Sequence, residues 1–457
     1  MRVHFIAIGG SAMHNLAIAL QQKGYEISGS DDEIFEPSRS RLREKGLLPA
    51  SLGWFPEKIS EKTDAVILGM HAREDNPELK RAKQLGIKIF SYPEFLYEHA
   101  RGKKRVVIGG SHGKTTITAA ILHVLSHCGI KADFMIGAQI SGFDVMVRLS
   151  EDAGLMIFEG DEYLTSALDR RPKFHLYRPH IALLSGIAWD HINVFPTWEG
   201  YLREFEKFIG LIEEGGSLVY CSEDKEVERM ASGATNRLKK LSYSLPGFKI
   251  QDGTSYLKGD DGLIPLKVFG RHNLMNIEGA RKVCREIGVT NKEFYSAISS
   301  FSGAANRLEL IAKNLYTSVY RDFAHSPSKL KATVDAVKEQ FPGRMLVACM
   351  ELHTFSSLSS HFLEQYKGTL DSADIPVVYY NPHTIKLKRL PPLDEEQVKK
   401  AFGNERLTVL TDSSALTDKL WSTAWKDKNL LLMSSGNFDN IDLNELTRKV
   451  IGDHACE

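Results

Sequence analysis

Gly110-Ser-His-Gly-Lys-Thr-Thr116 sets a lysine and two hydroxyls directly behind a glycine turn. That order suits a polyphosphate. Gly110 and Gly113 let backbone amides face an anion with no Cβ in the way, while Ser111 and His112 fill the turn between them. Lys114 supplies a point charge for the outer phosphates, and Thr115 a hydroxyl for a magnesium ion, with Thr116 behind it. Ahead of the turn, Val106 to Ile108 reads as a buried strand. Behind it, Ile117, Ala120, Ile121, Val124, Leu125 and Cys128 recur on one helical face until Gly129. The helix N-terminus then faces the anion. The loop is contracted relative to G-x-x-x-x-G-K-[ST]: the first glycine of that form would fall at Ile108, leaving Gly110-x-x-Gly113-Lys114-Thr115.

Two further segments bring metal-binding side chains to strand ends. Phe158-Glu159-Gly160-Asp161-Glu162 follows the apolar run Leu155 to Phe158, and carboxylates at the C-terminal ends of strands are where open α/β sheets place their chemistry. Glu159 offers the hard oxygen that a triphosphate-bound magnesium needs, with Asp161 and Glu162 as ligands or their supports. A solvated acidic turn is the other reading. Ile181 to Leu184 leads likewise into Asp190-His191. His191 suits a metal or the orientation of a metal-bound water; taken alone, such a histidine is more often a satisfied core or surface one.

These residues need parallel sheets to carry them. Val3 to Ile8, the Gly9-Gly10 turn, a helix through Met13, Leu16, Ala17 and Leu20, and a strand from Tyr25 make a βαβ start. Its Ala7-x-Gly9-x-x-Ala12 is a weak relative of G-x-G-x-x-G, with Asp31 placed for a ribose hydroxyl. A strand at Ala65 to Leu68 and a helix around Pro77 to Leu85 complete this unit, and Arg101-Gly-Lys-Lys-Arg105 reads as a linker. Beyond Arg307 the alternation returns, with a helix from about Ser328 to Gln340 and strands at Met345 to Met350, Val377 to Tyr380 and Leu430 to Met433. Three α/β units built of parallel sheets covered by helices are expected: 1–102, 103–310 and 311–457.

Composition narrows the classes. The 457 residues carry 58 basic and 58 acidic side chains, which argues against a nucleic-acid binder. Five scattered cysteines with no C-x-x-C pair suggest neither a disulfide framework nor a zinc site. No apolar run approaches the ~20 residues that span a bilayer, and Met1-Arg-Val-His-Phe enters a strand pattern without a leader. A cytoplasmic location, away from membranes, is expected.

Together the motifs resemble the Mur ligases. Gly110 to Thr116 is similar to that family's phosphate loop, Glu159-Gly-Asp-Glu-Tyr163 to its magnesium-binding segment, and Asp190-His191 to its second metal motif. Phe269-Gly-Arg-His-Asn-Leu-Met-Asn276 resembles its G-x-H-N-x-x-N segment. Arg307 sits where the family has an arginine between central and C-terminal domains, and Asp322-Phe-Ala-His-Ser-Pro327 resembles D-[YF]-A-H-x-P.

The resemblance implies a Rossmann-like domain for a UDP-sugar, held at Gly9, Gly10, Ser11 and Asp31. It implies a central P-loop ATPase domain and a Rossmann-like C-terminal domain for peptide or amino acid. It implies ATP and Mg2+, with Lys114, Glu159, His191 and Arg307 catalytic and Thr115, Glu159 and His191 on metal. His272, Asn273, Asn276, Arg307 and Asp322 would contact nucleotide, though Asn273 also reads as a helix cap. The implied reaction activates the carboxylate of UDP-N-acetylmuramate as an acyl phosphate and joins it to an amine.

Within the family, Glu159 to Phe174 followed by Tyr177-Arg-Pro179, and Met433-Ser-Ser-Gly-Asn-Phe438, resemble the branch that recycles the peptide L-alanyl-γ-D-glutamyl-meso-diaminopimelate. His353-Thr-Phe-Ser resembles the branch that adds L-alanine, but lacks the arginine that follows there. Departures are Gly160 for alanine, read as a tolerable loss of a methyl, and Ser326 for a second histidine. No lysine stands in register for carbamylation near Tyr201 to Glu206. The rival readings are the L-alanine-adding branch, a non-catalytic nucleotide-binding relative, and a P-loop kinase or ATPase.

Overall fold

The structure is a computed structural model that describes residues 1–452 apart from 71, 139–142, 144 and 190–193. The chain divides into two compact units, one of residues 1–244 with 276–297 and one of 245–275 with 298 onward.

In the first unit, counted over described residues, a parallel four-stranded sheet runs in the order Glu26–Ser30, Arg2–Ile6, Ala65–Leu68, Lys88–Ser91. The strand expected to reach Ile8 stops at Ile6. Ala7 turns left-handed at φ 67°, and the N–H groups of Ala7 and Ile8 both reach Ser30 O. This is the position of the first fingerprint glycine, which explains why glycine is usual there. A Cβ on Gly69 would stand 2.9 Å from the Ala7 methyl, so that glycine makes the room.

The seven-stranded sheet of the same unit runs in the order Lys239–Tyr243, Ser217–Cys221, Ile181–Leu184, Lys104–Gly109, Leu155–Glu159, Ala132–Met135, Val147–Arg148. Its pairs are parallel except the last. Its central strands are buried except at Lys104, as their apolar sequences require. The stretch read as a basic linker is instead structural. Arg105 is buried, and its guanidinium donates to the carbonyls of Tyr177, Arg178, Ala100, Arg101 and Lys103 and to Glu213. Lys103 donates to buried Asp133 at 2.6 Å. Charge alone did not separate a solvated turn from a guanidinium that ties carbonyl ends together.

The second unit holds a six-stranded sheet in the order Glu309–Lys313, Ser318–Asp322, Lys428–Met433, Met345–Glu351, Ile375–Tyr379, Thr408–Leu410, parallel except the first pair. It also holds an antiparallel meander, Phe248–Gln251, Thr254–Gly259 and Gly262–Leu266. The meander departs from the expected uniform strand–helix alternation. Its signal was Asp252-Gly253, whose φ of 52° and 71° make the two-residue hairpin turn that Asp-Gly favours. Among the described residues no helix is long and apolar enough to cross a membrane.

His4, on strand Arg2–Ile6, meets Glu78, in helix Pro77–Gln84, at 3.2 Å with both side chains 0% exposed. Ser28 Oγ holds the other His4 nitrogen at 2.8 Å, and Phe55 N–H donates to Glu78 at 2.6 Å. Burial raises the Glu78 carboxyl, but bonds from His4, Ser30 and Phe55 outweigh it and hold it below its ordinary value. A group with a depressed folded pKa stabilises the fold above its unfolded value, near ~4.3, and loses that contribution as pH falls through the folded value. Glu78→Gln is therefore expected to lower stability by about 1–3 kcal/mol at neutral pH, the scale of weakening buried hydrogen bonds to a carboxylate. Denaturant unfolding should show the gap to wild type narrowing once the pH drops below ~4.

Candidate functional site in the first unit

Three strand ends meet at the glycine loop because the parallel register aligns them. Ile108 lies beside Glu159 and Leu183, and Gly109 beside Leu184. The loop rises from Gly109 into helix Lys114–His127. Gly110 has φ 123° and Gly113 φ 78°, both left-handed. A Cβ on Gly110 would collide with Ser185 Oγ, and one on Gly113 with the Asn276 amide. Both glycines are thus required by conformation and by space. Ser111 N–H donates to Gly186 O at 2.8 Å, and Ser185 Oγ donates to His112 O.

The charged groups sit directly on this loop. Lys114 Nζ donates to Gly110 O and to Glu162 Oε2, each at 2.6 Å. Burial lowers the Lys114 pKa, but Glu162, Asp161 and Glu159 outweigh it and hold the ammonium above its ordinary value. Thr115 Oγ1 donates to Glu159 Oε1 at 2.7 Å, and Gly137 N–H to Glu159 Oε2 at 2.7 Å. Asp161 pairs with Lys173 at 2.5 Å; the two lysines overcome its burial and hold its carboxyl low. Thr116 is buried in the first helical turn. The arrangement gives an anion a loop of left-handed glycines, an ammonium and a hydroxyl–carboxylate pair, all at one helix N-terminus.

A hydroxyl and a carboxylate oxygen suit a hard cation that keeps phosphate oxygens and waters for its other positions. Among the described residues no group of three or more His, Cys, Asp and Glu gathers as a ready-made metal cage. Asp190 and His191 lie outside the described residues.

Gly160 is not the neutral loss of a methyl that the sequence suggested. A Cβ there would stand 2.8 Å from Val107 Cγ1 and 3.1 Å from Ile108 O, because Gly160 N–H bonds Ile108 O at 2.8 Å. Tyr201 was missed as a site residue. Its hydroxyl lies 2.9 Å from Ser111 Oγ and donates to Glu162 Oε1 at 3.2 Å. In sequence it is one of a helical stripe with Phe205 and Phe208, which reads as core.

Elsewhere in the first unit, Gly10 precedes helix Ser11–Gln22, and Ser11 is exposed at its start. Asp31 is buried and accepts Gly9 N–H at 2.7 Å. Burial raises its carboxyl. The residue read as a ribose ligand thus also braces the glycine turn. Asn276 is buried beside Gly113.

The remaining motif residues lie in the second unit, described by itself. His272 is pushed down to about 4 by desolvation and is neutral at neutral pH. Asn273 is buried within helix Arg271–Ile287 and donates to Phe269 O at 2.9 Å, so its amide nitrogen serves a carbonyl and the cap reading fails. Arg307 lies over the Phe323 ring at 4.7 Å, between two left-handed residues, Asn306 and Leu308. Asp322 accepts N–H bonds from Leu308 at 2.5 Å and Ala324 at 2.6 Å. Burial pushes its carboxyl up to about 6, with Arg307 pulling the other way. Arg307 and Asp322 are therefore brought together. Ser326 Oγ is buried with no hydrogen-bond partner among the described residues. Glu351 joins the end of its strand to the segment Met433 to Phe438, accepting Ser434 Oγ and, at 2.8 Å, Phe438 N–H.

Residues 2–104 match the model described as the Mur ligase family, catalytic domain, and residues 108–284 the Mur ligase middle domain. The chain is 30% identical to UDP-N-acetylmuramate--L-alanine ligase of Clostridium acetobutylicum, covering 80% of this chain and 81% of that protein. It is 27% identical to UDP-N-acetylmuramate--L-alanyl-gamma-D-glutamyl-meso-2,6-diaminoheptandioate ligase of Haemophilus influenzae, covering 96% and 97%. The crystal structure of UDP-N-acetylmuramate-alanine ligase from Thermotoga maritima shares the fold, with a TM-score of 0.72 at 19% identity over 99% of this chain and 98% of that one. The chain belongs to the Mur ligase family, whose members are ATP-dependent amide-bond-forming ligases.

Gly160→Ala is expected to destabilise the fold by about 1–3 kcal/mol, the usual cost of forcing a methyl into a filled site. Denaturant unfolding measures it; unchanged stability would show that Val107 yields freely.

Proposed function

We propose that this chain is an ATP-dependent ligase that joins the carboxylate of UDP-N-acetylmuramate to the amine of the peptide L-alanyl-γ-D-glutamyl-meso-diaminopimelate, in cytoplasmic recycling of peptidoglycan. The observation that carries the ligase reading is the loop geometry: Lys114 and the glycine turn beside the Thr115–Glu159 pair at 2.7 Å. Preference for the peptide rests on Glu159 to Pro179 and Met433 to Phe438. It rests also on the absence of an arginine after Ser356, where Ser357 closes a local turn by bonding Thr354. Relatives carry both the peptide and the L-alanine names, and the L-alanine-adding ligase is the second reading.

In this reading the first 102 residues hold the UDP-sugar at Gly9, Gly10, Ser11 and Asp31. Residues 103–310 hold ATP, and 311–457 the amine substrate. Residues 110–116 face the triphosphate; Lys114 neutralises its outer phosphates, and His272, Asn273, Asn276, Arg307 and Asp322 position nucleotide. Thr115 and Glu159 hold magnesium, with His191 at a second ion. Magnesium there supplies charge neutralisation between two anionic reactants. Bringing a carboxylate to a phosphoryl group is a problem of alignment and charge, which fixed donors solve without reorganisation. Neutral His272 adds a hydrogen-bonding ring without a further charge.

Phosphate release with ATP, magnesium and UDP-N-acetylmuramate tests the reading, with the peptide and L-alanine offered separately. Release is expected with the peptide, and Lys114→Ala should lower it at least ~100-fold. Release with L-alanine alone would transfer the chain to the second reading; near-normal turnover by Lys114→Ala would refute the loop assignment.

A further inference from the structure

Tyr201 lies in helix Trp198–Gly210 and is 0% exposed. Its ring is fixed by aromatic neighbours, Phe195 at 5.2 Å, Phe205 at 5.1 Å and Trp198 at 6.2 Å between centroids. Its hydroxyl stands between Ser111 of the glycine loop and Glu162, which follows strand Leu155–Glu159. Ser111 Oγ accepts Ala188 N–H at 2.9 Å, which leaves the serine proton for the tyrosine oxygen, 2.9 Å away. The tyrosine proton goes to Glu162 Oε1 at 3.2 Å, and Glu162 Oε2 accepts Lys114 Nζ at 2.6 Å. The chain of bonds is directed, from the Ala188 amide through Ser111, Tyr201 and Glu162 to the Lys114 ammonium.

We propose that Tyr201 is a positioning residue for bound nucleotide, setting the phosphate loop through Ser111 and the Lys114 ammonium through Glu162. The inference rests on the reading of this loop as a triphosphate site and adds the group that orients it. Lys114 is shared between Gly110 O and Glu162, so a triphosphate must draw on an ammonium that a carboxylate already holds. A Glu162 anchored by Tyr201 stays in place while the ammonium leans toward phosphate. A Glu162 without that anchor can follow the lysine and keep neutralising it. A phenylalanine at 201 would keep the aromatic packing and remove both links.

The test is calorimetric titration of ATP and magnesium into the full-length chain, with Tyr201→Phe, Ser111→Ala and the double variant. Tyr201→Phe should weaken ATP binding about ten-fold, the scale of one hydrogen bond to a charged group. In turnover, KM for ATP should rise while KM for UDP-N-acetylmuramate holds, a split that general loosening would not give. Because one relay is cut at two points, the double variant should bind no more weakly than the worse single variant. Full multiplication of the two losses, or unchanged ATP affinity in Tyr201→Phe, would overturn the relay while leaving the ligase reading intact. A wild-type chain that binds no ATP would remove both. Should Tyr201→Phe fail to fold, Ser111→Ala and Glu162→Gln decide: ATP affinity equal to wild type in both would also overturn it.

Discussion

The hydrogen bond from Thr115 Oγ1 to Glu159 Oε1, at 2.7 Å, is the constraint around which the site is arranged. It joins the first turn of one helix to the end of the next strand. It forms because Lys104–Gly109 and Leu155–Glu159 are parallel neighbours whose register puts Ile108 beside Glu159. A one-residue slip would turn Glu159 to the other face of the sheet. Apolar burial on both faces prevents that slip, since every residue from Leu155 to Phe158 has a place in the core. The position of this hydroxyl–carboxylate pair therefore follows from hydrophobic packing further down the same strands.

Charge in this region is dense and balanced by neighbours more than by water. Lys114 faces Glu162, Asp161 and Glu159, and Lys173 takes Asp161. Removing any one charge leaves its partner buried and uncompensated, which costs more than the pair contributes. Two ammonium groups here face three carboxylates, so the carboxylates are in excess by one.

Much of this was legible in the sequence. The glycine turn, strand ends and helix faces follow from residue type and period, and the strands at Ala65–Leu68 and Ile181–Leu184 lie at the residues read for them. Illegible were features that depend on which side chain meets which across space. Arg105 looked like part of a basic linker, yet it binds carbonyls from several segments. Gly160 looked like a missing methyl, but a neighbouring strand occupies the space. Tyr201 carries the pattern of a core aromatic, and its ring is indeed core; its hydroxyl alone reaches the site. The meander at 248–266 was hidden because its alternation is short and its helix-free connections are two residues long.

The second unit shows a buried carboxylate organising a strained turn. Glu351 is buried, which raises its carboxyl, but His353, Ser434 and Phe438 outweigh the burial and hold it below its ordinary value. Phe438, Asp439 and Asn440 follow one another in left-handed conformations, at φ 52°, 58° and 63°. Three such residues in sequence cost of order 1–3 kcal/mol each, and persist only where surrounding bonds over-determine them. Glu351 supplies one of those bonds, accepting Phe438 N–H, and Asn437 supplies the others, its carbonyl and side-chain oxygens accepting Asn440 N–H while its amide donates to Asn440 Oδ1. The turn is therefore tied at its first residue to the end of strand Met345–Glu351 and closed at its last by its own asparagines. A long-range carboxylate fixes where the turn begins, and short-range amide bonds fix its shape.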